Sequence, residues 1–272
     1  MPGAVFRPFA WVPILDSWNP QQYHRYGDER QRPAADLLAA IPLDAPAVVY
    51  DLGCGSGLST AVLARRWPQA GITGVDSSPA MLATARKALP ELAFLEGDIS
   101  GWSAPEQADL LFSNATLQWL GDHSRLFPRL MTQLKPGGVL AVQMPRNHGE
   151  PSHLEMLAAA EAGPWREKLR PLLRPSPVAP PEIYHALLRP LAARLDIWET
   201  IYLHELSGEN PVAEWTKGTS LKPLLDALEG EERRGFEADY RARVAKAYPV
   251  TASGHTLFPF RRLFLIAEAR AR

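Results

Sequence analysis

This sequence of 272 residues has one cysteine and a net charge close to zero. Cys54 is its single cysteine, so a disulfide framework is excluded and a reducing compartment suits the chain. No histidine lies near Cys54 in the sequence, which favours a small turn residue over a nucleophile. The formal net charge is −1, so the chain lacks the broad basic surface with which proteins bind nucleic acid.

Long apolar runs and metal-ligand spacings are missing as well. No run approaches the ~20 residues that a membrane-spanning helix needs. Residues 1–15 are apolar, but prolines interrupt them and no A-x-A cleavage pattern follows, so we do not interpret them as a signal peptide. We expect an N-terminal extension there, a cytoplasmic protein and no metal ion.

The most informative stretch is a glycine-rich turn between an apolar run and a helical pattern. The run closes at Asp51, and Gly53, Gly55 and Gly57 follow at alternate positions. Such a turn lets backbone N–H groups approach a ligand closely. The spacing is G-x-G-x-G, whereas dinucleotides are bound by G-x-G-x-x-G, and Leu58 follows. The turn therefore favours a cofactor with a cationic amino-acid tail, S-adenosylmethionine (SAM), whose ammonium can use Asp51 or nearby carbonyls.

Two further acidic residues follow the next predicted strands. Asp76 ends the second, where a carboxylate can accept from both hydroxyls of a ribose. Asp98 stands near the end of the third and can accept from an adenine amino group, with Ile99 packing near the ring. Asp76 suits NAD and SAM equally, so the choice of SAM over NAD depends on the glycine spacing.

Strand and helix patterns alternate along the chain, which predicts an α/β fold. We expect a Rossmann-like, seven-stranded, mostly parallel sheet with a final antiparallel strand, plus a helical cap. Beyond the first strand at 48–50, strands are predicted at 70–76, 92–99, 108–115, 139–144, 196–204 and 263–267, with a turn at 134–138 and a helix at 182–195.

The predicted organisation has four parts. Residues 1–15 form an N-terminal extension, 16–45 an N-terminal helical lid, 46–208 and 256–272 the SAM-binding core, and 209–255 a helical cap insertion. A cap beside the carboxyl edge of the sheet suits a lid that excludes water. The aromatic residues of the lid, Trp18 and Tyr23 among them, either anchor the segment to the core or cover the cofactor.

Several segments together resemble the trans-aconitate 2-methyltransferases, a family of class I SAM-dependent methyltransferases. They are 16–20 with Tyr23, 51–57, 74–81, 113–120, 140–145, 196–200 with Tyr202 and His204, and 262–264. The resemblance implies methyl transfer from SAM to a carboxylate of trans-aconitate, giving a monomethyl ester and S-adenosylhomocysteine. Arg146 departs from the family pattern, in which an acid follows Met-Pro, and residues 171–181 match poorly.

The resemblance also implies site residues. The cofactor contacts are Trp18, Tyr23, Arg32, Asp51, Gly53, Gly55, Gly57, Asp76, Ser77, Met81, Asp98, Ile99 and Asn114. The substrate contacts that it implies are Gln118, Trp119, Tyr202, His204 and Arg262, and Arg146 is a further candidate because of its charge. Arg32 either pairs with the cofactor carboxylate or only caps a helix.

The implied chemistry asks for positioning rather than for proton transfer. A carboxylate is ionised at pH 7, so no general base is required for an in-line displacement at a sulfonium methyl group. Two alternatives within the class are another di- or tricarboxylate and malonyl-acyl-carrier protein. Outside it stand an NAD-dependent oxidoreductase and a non-catalytic SAM-binding module. A small-molecule substrate is expected, with no nucleic acid and no membrane, and the oligomeric state stays open.

Overall fold

A computed structural model describes residues 27–173, 176, 178–218 and 220–271. Its seven strands are β1 (Val48–Leu52), β2 (Gly71–Asp76), β3 (Ala93–Glu96), β4 (Ala108–Asn114), β5 (Leu134–Pro145), β6 (Ala192–Leu206) and β7 (Thr256–Ala269). They form one sheet in the order β3-β2-β1-β4-β5-β7-β6. Strands β1 to β5 pair in parallel, whereas β7 runs antiparallel to both of its neighbours. The predicted fold class is confirmed.

The described helices follow the predicted alternation. They are α1 (Gly27–Ala40), α2 (Leu58–Arg66), α3 (Pro79–Ala88), α4 (His123–Thr132), α5 (Pro151–Ala162), α6 (Arg166–Leu169), α7 (Pro181–Leu188), α8 (Pro211–Lys217), α9 (Lys222–Asp226) and α10 (Gly230–Ala247), with 3-10 turns at Leu117–Trp119 and Arg170–Leu172. Among these helices, none combines the length and the hydropathy that a membrane crossing requires.

Some predicted boundaries were wrong. The helix predicted over 182–195 ends at Leu188, because Pro190 lacks the N–H that would continue it, and β6 begins soon after. The turn predicted over 134–138 already belongs to β5, which bulges against β4 between Ala108 and Leu110. Strand β3 ends at Glu96, so Asp98 lies in the following loop.

Helices cover both faces of the sheet. Successive residues of a strand point to opposite faces, and Val49 packs in a cluster with α1 and α2, whereas Tyr50 packs in a cluster with α4 and α7. Cys54 is buried in a smaller cluster with Leu82 of α3 and Phe94 of β3. The carboxyl edge of the parallel strands therefore lies between two layers of helices.

A separate apolar cluster lies beyond that edge. It joins α8, α9 and α10 of the predicted cap to α5, α6 and the end of the β6–β7 hairpin. Pro145, the last residue of β5, pairs with Arg262, so the hairpin residues past that pair extend beyond the edge. Tyr202 and His204 lie on this extension of β6, paired with Phe260 and Phe258 of β7. The hairpin thus connects the sheet to the cluster that contains the helices of the predicted cap.

Candidate active site

Asp51 is fully buried at the carboxyl end of β1. Its Oδ2 accepts hydrogen bonds from the hydroxyls of Ser59 and Thr60, both at 2.7 Å. Its Oδ1 is buried and accepts from no group within the described residues. Burial, only partly offset by the two hydroxyl donors, raises the pKa of Asp51 to about 6. A cationic donor such as the ammonium of SAM would satisfy Oδ1 and favour the ionised carboxylate.

The glycine turn after Asp51 adopts a backbone that needs glycine. Gly53 and Gly57 have φ of 77° and 90°, in the left-handed region. A Cβ at Gly53 would lie 2.1 Å from Cγ2 of Thr116, whose hydroxyl donates to the Gly53 carbonyl at 3.1 Å. A Cβ at Gly55 would meet no atom within 4 Å, so the turn is open to a ligand there.

Asp76 joins the glycine turn to the end of β2. Its Oδ2 accepts from the Gly55 N–H at 2.9 Å and its Oδ1 from the Ser78 N–H at 2.8 Å. A carboxylate offers about four lone-pair sites, so both oxygens keep capacity for ribose hydroxyls. Ser77 is exposed beside it, and Met81 is 47% exposed in the first turn of α3. These predicted cofactor residues are close together along the chain and the sheet edge.

Asp98 is exposed in the loop after β3. It accepts from the hydroxyl and the N–H of Ser100 at 2.7 and 2.9 Å, and these bonds lower the pKa of Asp98. Ile99 is buried in the core beneath the loop. Arg129 of α4 donates to the carbonyls of Ile99, Ser100 and Trp102, which fixes the loop against the helix.

The last residue of β4 and the segment after it present hydrogen-bond acceptors. Within the described part of the chain, Oδ1 of Asn114 and Oε1 of Gln118 are buried without a donor. Gln118 uses its Nε2 to donate to the Ala115 carbonyl at 2.6 Å. Ala115 has φ of 53°, a strained value for a residue other than glycine that recurs at functional sites. Trp119 is 70% exposed at the same edge.

Arg262 of β7 brings positive charge into the site. It is 5% exposed, and its guanidinium carbon lies 4.7 Å from the ring centre of Phe260 and 5.9 Å from that of Tyr202. Its Nη1 donates to Oε1 of Gln143 on β5, across 3.4 Å. A buried guanidinium at the edge of the sheet is the group expected for binding a carboxylate.

Tyr202 connects the hairpin to α1. Its hydroxyl donates to Oδ2 of Asp36 at 2.7 Å. Burial raises the pKa of Tyr202, and the bond to Asp36 raises it further. Arg32 lies 5.2 Å from the Tyr202 ring centre, and its Nε is 3.7 Å from Asp36. The structure thus places Arg32 beside a predicted substrate residue, and its predicted pairing with the cofactor carboxylate stays a prediction.

His204 and Arg146 have different surroundings. His204 stacks on Trp215 at 5.0 Å, and burial, with the nearby Arg262, lowers the pKa of His204 to about 4. The imidazole is therefore neutral at pH 7, and its Nε2 is buried without a partner among the described residues. Arg146 makes a two-pronged ion pair with Glu199 of β6, with Nη2 at 3.0 Å from Oε2. Its guanidinium is engaged within the protein.

The structure brings the predicted residues to one edge of the sheet, in two neighbourhoods. Asp51, the glycines, Asp76 and Asn114 lie along β1, β2 and β4, and Arg262, Tyr202 and His204 lie along β7 and β6. Trp18 and Tyr23 lie outside the described residues, and the assigned roles stay predictions. Sequence reasoning missed Gln143, although a single polar residue in an apolar strand end is a usable signal.

Comparisons with known proteins find a matching family model and similar sequences. A family model described as a methyltransferase domain matches residues 49–138. The chain is 46% identical over 253 residues to the trans-aconitate 2-methyltransferase of Azoarcus sp. strain BH72, covering 93% of this chain and 99% of that protein. It is 49% identical over 254 residues to the trans-aconitate 2-methyltransferase of Rhodopseudomonas palustris strain BisB18, with the same coverage.

Among solved structures, the fold is similar to that of the phosphoethanolamine N-methyltransferase 2 of Haemonchus contortus. That protein was solved in complex with phosphomonomethylethanolamine and S-adenosylhomocysteine. The TM-score is 0.53 at 16% sequence identity, and the match covers 89% of this chain and 53% of that chain. At this identity the similarity supports the shared fold.

Proposed function

Since this chain belongs to the trans-aconitate 2-methyltransferase family of SAM-dependent methyltransferases, we propose that it forms a monomethyl ester on a carboxylate of trans-aconitate. The observation that carries the proposal is the buried Arg262, which lies at the same sheet edge as Asp51 and the glycine turn. A cationic group beside a cofactor site is what an anionic methyl acceptor requires.

The side of the site that presents hydrogen-bond acceptors, on β1 and β4, fits SAM. Asp51 and Asn114 each offer a buried oxygen that accepts from no described group, which suits an ammonium with its three N–H donors. Gly55 leaves the turn open, and Asp76 keeps lone pairs for a ribose. When bound, SAM supplies an electrophilic methyl group on a positively charged sulfur.

No proton has to move for this reaction. The carboxylate nucleophile is ionised at neutral pH, since carboxylic acids titrate near pH ~4. His204, the imidazole closest to Arg262 along the hairpin, is neutral and serves as a hydrogen-bonding group rather than as a required base. Holding the acceptor oxygen close to the methyl carbon in line with the breaking bond contributes ~7–11 kcal/mol.

The flanking elements exclude water from the reacting groups. The hydrogen bond between Tyr202 and Asp36 holds α1, in the proposed lid of residues 16–45, against the hairpin. The cap of residues 209–255 packs on the end of the same hairpin. A dry site favours reactants of opposite charge that neutralise each other as the methyl group transfers.

The test is transfer of a labelled methyl group from SAM to a panel of carboxylic acids. We expect a base-labile monomethyl ester of trans-aconitate as the main product, with weaker transfer to other di- and tricarboxylates. Malonyl-acyl-carrier protein belongs in the panel, since activity on it alone would replace the proposed substrate. Absence of transfer to every acid in the panel would overturn the proposal.

A further inference from the structure

Polar atoms at the sheet edge that have no partner within the described residues fall into two chemical groups. On β1 and β4 they are acceptors, Oδ1 of Asp51 and Oδ1 of Asn114. On β5 the atom is a donor, Nε2 of Gln143, and the Gln143 side chain is fully buried. The next strand, β7, carries the guanidinium of Arg262, which also presents only donors and which donates through Nη1 to Gln143. The boundary between acceptors and donors therefore lies between β4 and β5.

The strand register places the boundary residues side by side. Asn114 is the register partner of Gln143, so their side chains leave the sheet on the same face. Asp51 pairs with Phe112, two residues before Asn114, and shares that face. Although Asn114 offers an acceptor and Gln143 a donor on adjacent strands, neither atom is bonded to the other. Each is left for a different partner.

The orientation of the Gln143 amide follows from its neighbour. The Arg262 guanidinium carries donors and no acceptor, so the amide oxygen faces it, at 3.4 Å from Nη1. The Nε2 group is consequently turned away from Arg262. Leaving a buried amide donor without an acceptor is costly, so this Nε2 group points to a ligand with an acceptor oxygen.

We infer that Gln143 binds the reacting carboxylate of the substrate through Nε2, while Arg262 binds a second carboxylate. This inference rests on the proposed function. In the transfer a carboxylate oxygen gains the methyl group, the carbon–sulfur electron pair stays on sulfur and no proton moves. Gln143 lies on the strand next to the hydrogen-bond acceptors of β4, whereas Arg262 lies one strand further, about 5 Å across the sheet.

A neutral donor also suits the reacting carboxylate better than a guanidinium does. The negative charge of this carboxylate disappears as the ester forms. A cation bound directly to it would therefore stabilise the starting state more than the transition state and would slow the reaction. The amide of Gln143 orients the oxygen with a smaller penalty of this kind, and the charge of Arg262 acts on a carboxylate that does not react.

The test compares Gln143→Met with wild type by calorimetry. Titrating trans-aconitate into the complex with S-adenosylhomocysteine reports substrate affinity, and titrating S-adenosylhomocysteine alone reports the cofactor side. We expect Gln143→Met to weaken trans-aconitate binding by about 10- to 100-fold and to leave S-adenosylhomocysteine binding unchanged. Gln133→Met is the matched control, because Gln133 accepts from Ala104 away from the site, and it should change neither affinity.

A second variant tests the inference if Gln143→Met is too unstable to be measured. Gln143→Glu keeps an oxygen for Arg262 but replaces the donor by a negative charge, so its loss of trans-aconitate affinity should be at least as large. Equal weakening of trans-aconitate and S-adenosylhomocysteine, or no weakening of either, would overturn the inference. Wild type that neither binds nor methylates any carboxylate would overturn the proposed function itself.

Discussion

Replacing Asp51 by asparagine should stabilise the ligand-free protein at pH 8 and weaken cofactor binding. The carboxyl has a pKa of about 6 in the fold against 3.8 for the unperturbed group, because burial disfavours its charge. At about 1.4 kcal/mol per pKa unit, the ionised carboxylate destabilises the native state by roughly 3 kcal/mol. Asparagine has the same shape, and its carbonyl oxygen can still accept from Ser59 and Thr60.

The pH dependence of this effect has a definite sign. The native carboxyl holds its proton up to a higher pH than the unfolded one, so the stability of wild type falls as the pH rises from 3.8 to about 6. Asp51→Asn lacks this titration. Urea denaturation should therefore show the variant as more stable by up to about 3 kcal/mol at pH 8, with the difference vanishing toward pH 4.

The cofactor side of the prediction is a loss. In Asp51→Asn the ammonium of the cofactor loses the charge-assisted hydrogen bond that the Asp51 carboxylate would accept. Calorimetry should therefore show S-adenosylhomocysteine binding about 10- to 100-fold weaker. Asp109→Asn is the matched control. Asp109 accepts from Lys135 and the Ala47 and Val48 N–H groups, and its pKa is lowered.

The control should therefore respond in the opposite direction. The stability that Asp109 contributes is present above its unfolded pKa and is lost as the pH falls through its lower native pKa. Asp109→Asn should thus be less stable than wild type at pH 8 and should bind S-adenosylhomocysteine normally. An Asp51→Asn protein that is destabilised at pH 8, or a stability difference that does not change between pH 4 and 8, would refute the reasoning.

Three other substitutions test the remaining parts of the site. Arg262→Ala should raise the KM for the carboxylate by at least about tenfold with little change in S-adenosylhomocysteine affinity; equal loss of both would make Arg262 structural. Gly53→Ala forces a Cβ against Thr116 at a positive φ and should lower both the melting temperature and the cofactor affinity. An unchanged melting temperature would contradict this clash. Tyr202→Phe removes the hydrogen bond to Asp36 and should reduce the free energy of unfolding by about 1 kcal/mol, measured in urea. A stability equal to that of wild type would mean that this contact contributes nothing.

Local chemistry made the cofactor half of the site predictable. The glycine turn can be inferred from the sequence because positive φ values at Gly53 and Gly57 are a property of the residue itself. Ser78, directly before Pro79, caps α3, since its side chain accepts from the Met81 N–H at 3.4 Å, and serine at such a position is a local signal for a helix start. Acidic residues after parallel strands converge at one edge whatever the rest of the fold does.

Long-range pairing made the substrate half hard to predict. Arg146 was a candidate substrate ligand on its charge alone, and the β5–β7–β6 register brings it to Glu199, 53 residues away. Tyr202 meets Asp36 across 166 residues, and α5 packs with the cap although it precedes the predicted cap in the chain. The residue type indicates what a side chain can bind, whereas the register decides which groups are already bonded.

The sequence by itself determined the methyl-donor chemistry, since a strand, an acid and three alternate glycines specify one local backbone. The tertiary structure decided where, along the edge of the sheet, hydrogen-bond acceptors are replaced by hydrogen-bond donors. Asn114 and Gln143 are neighbours because β4 and β5 pair in parallel with that register, and their unbonded polar atoms follow from it. That division exists only in the assembled sheet, because each hydrogen-bonding group keeps or loses its partner when the strands pair.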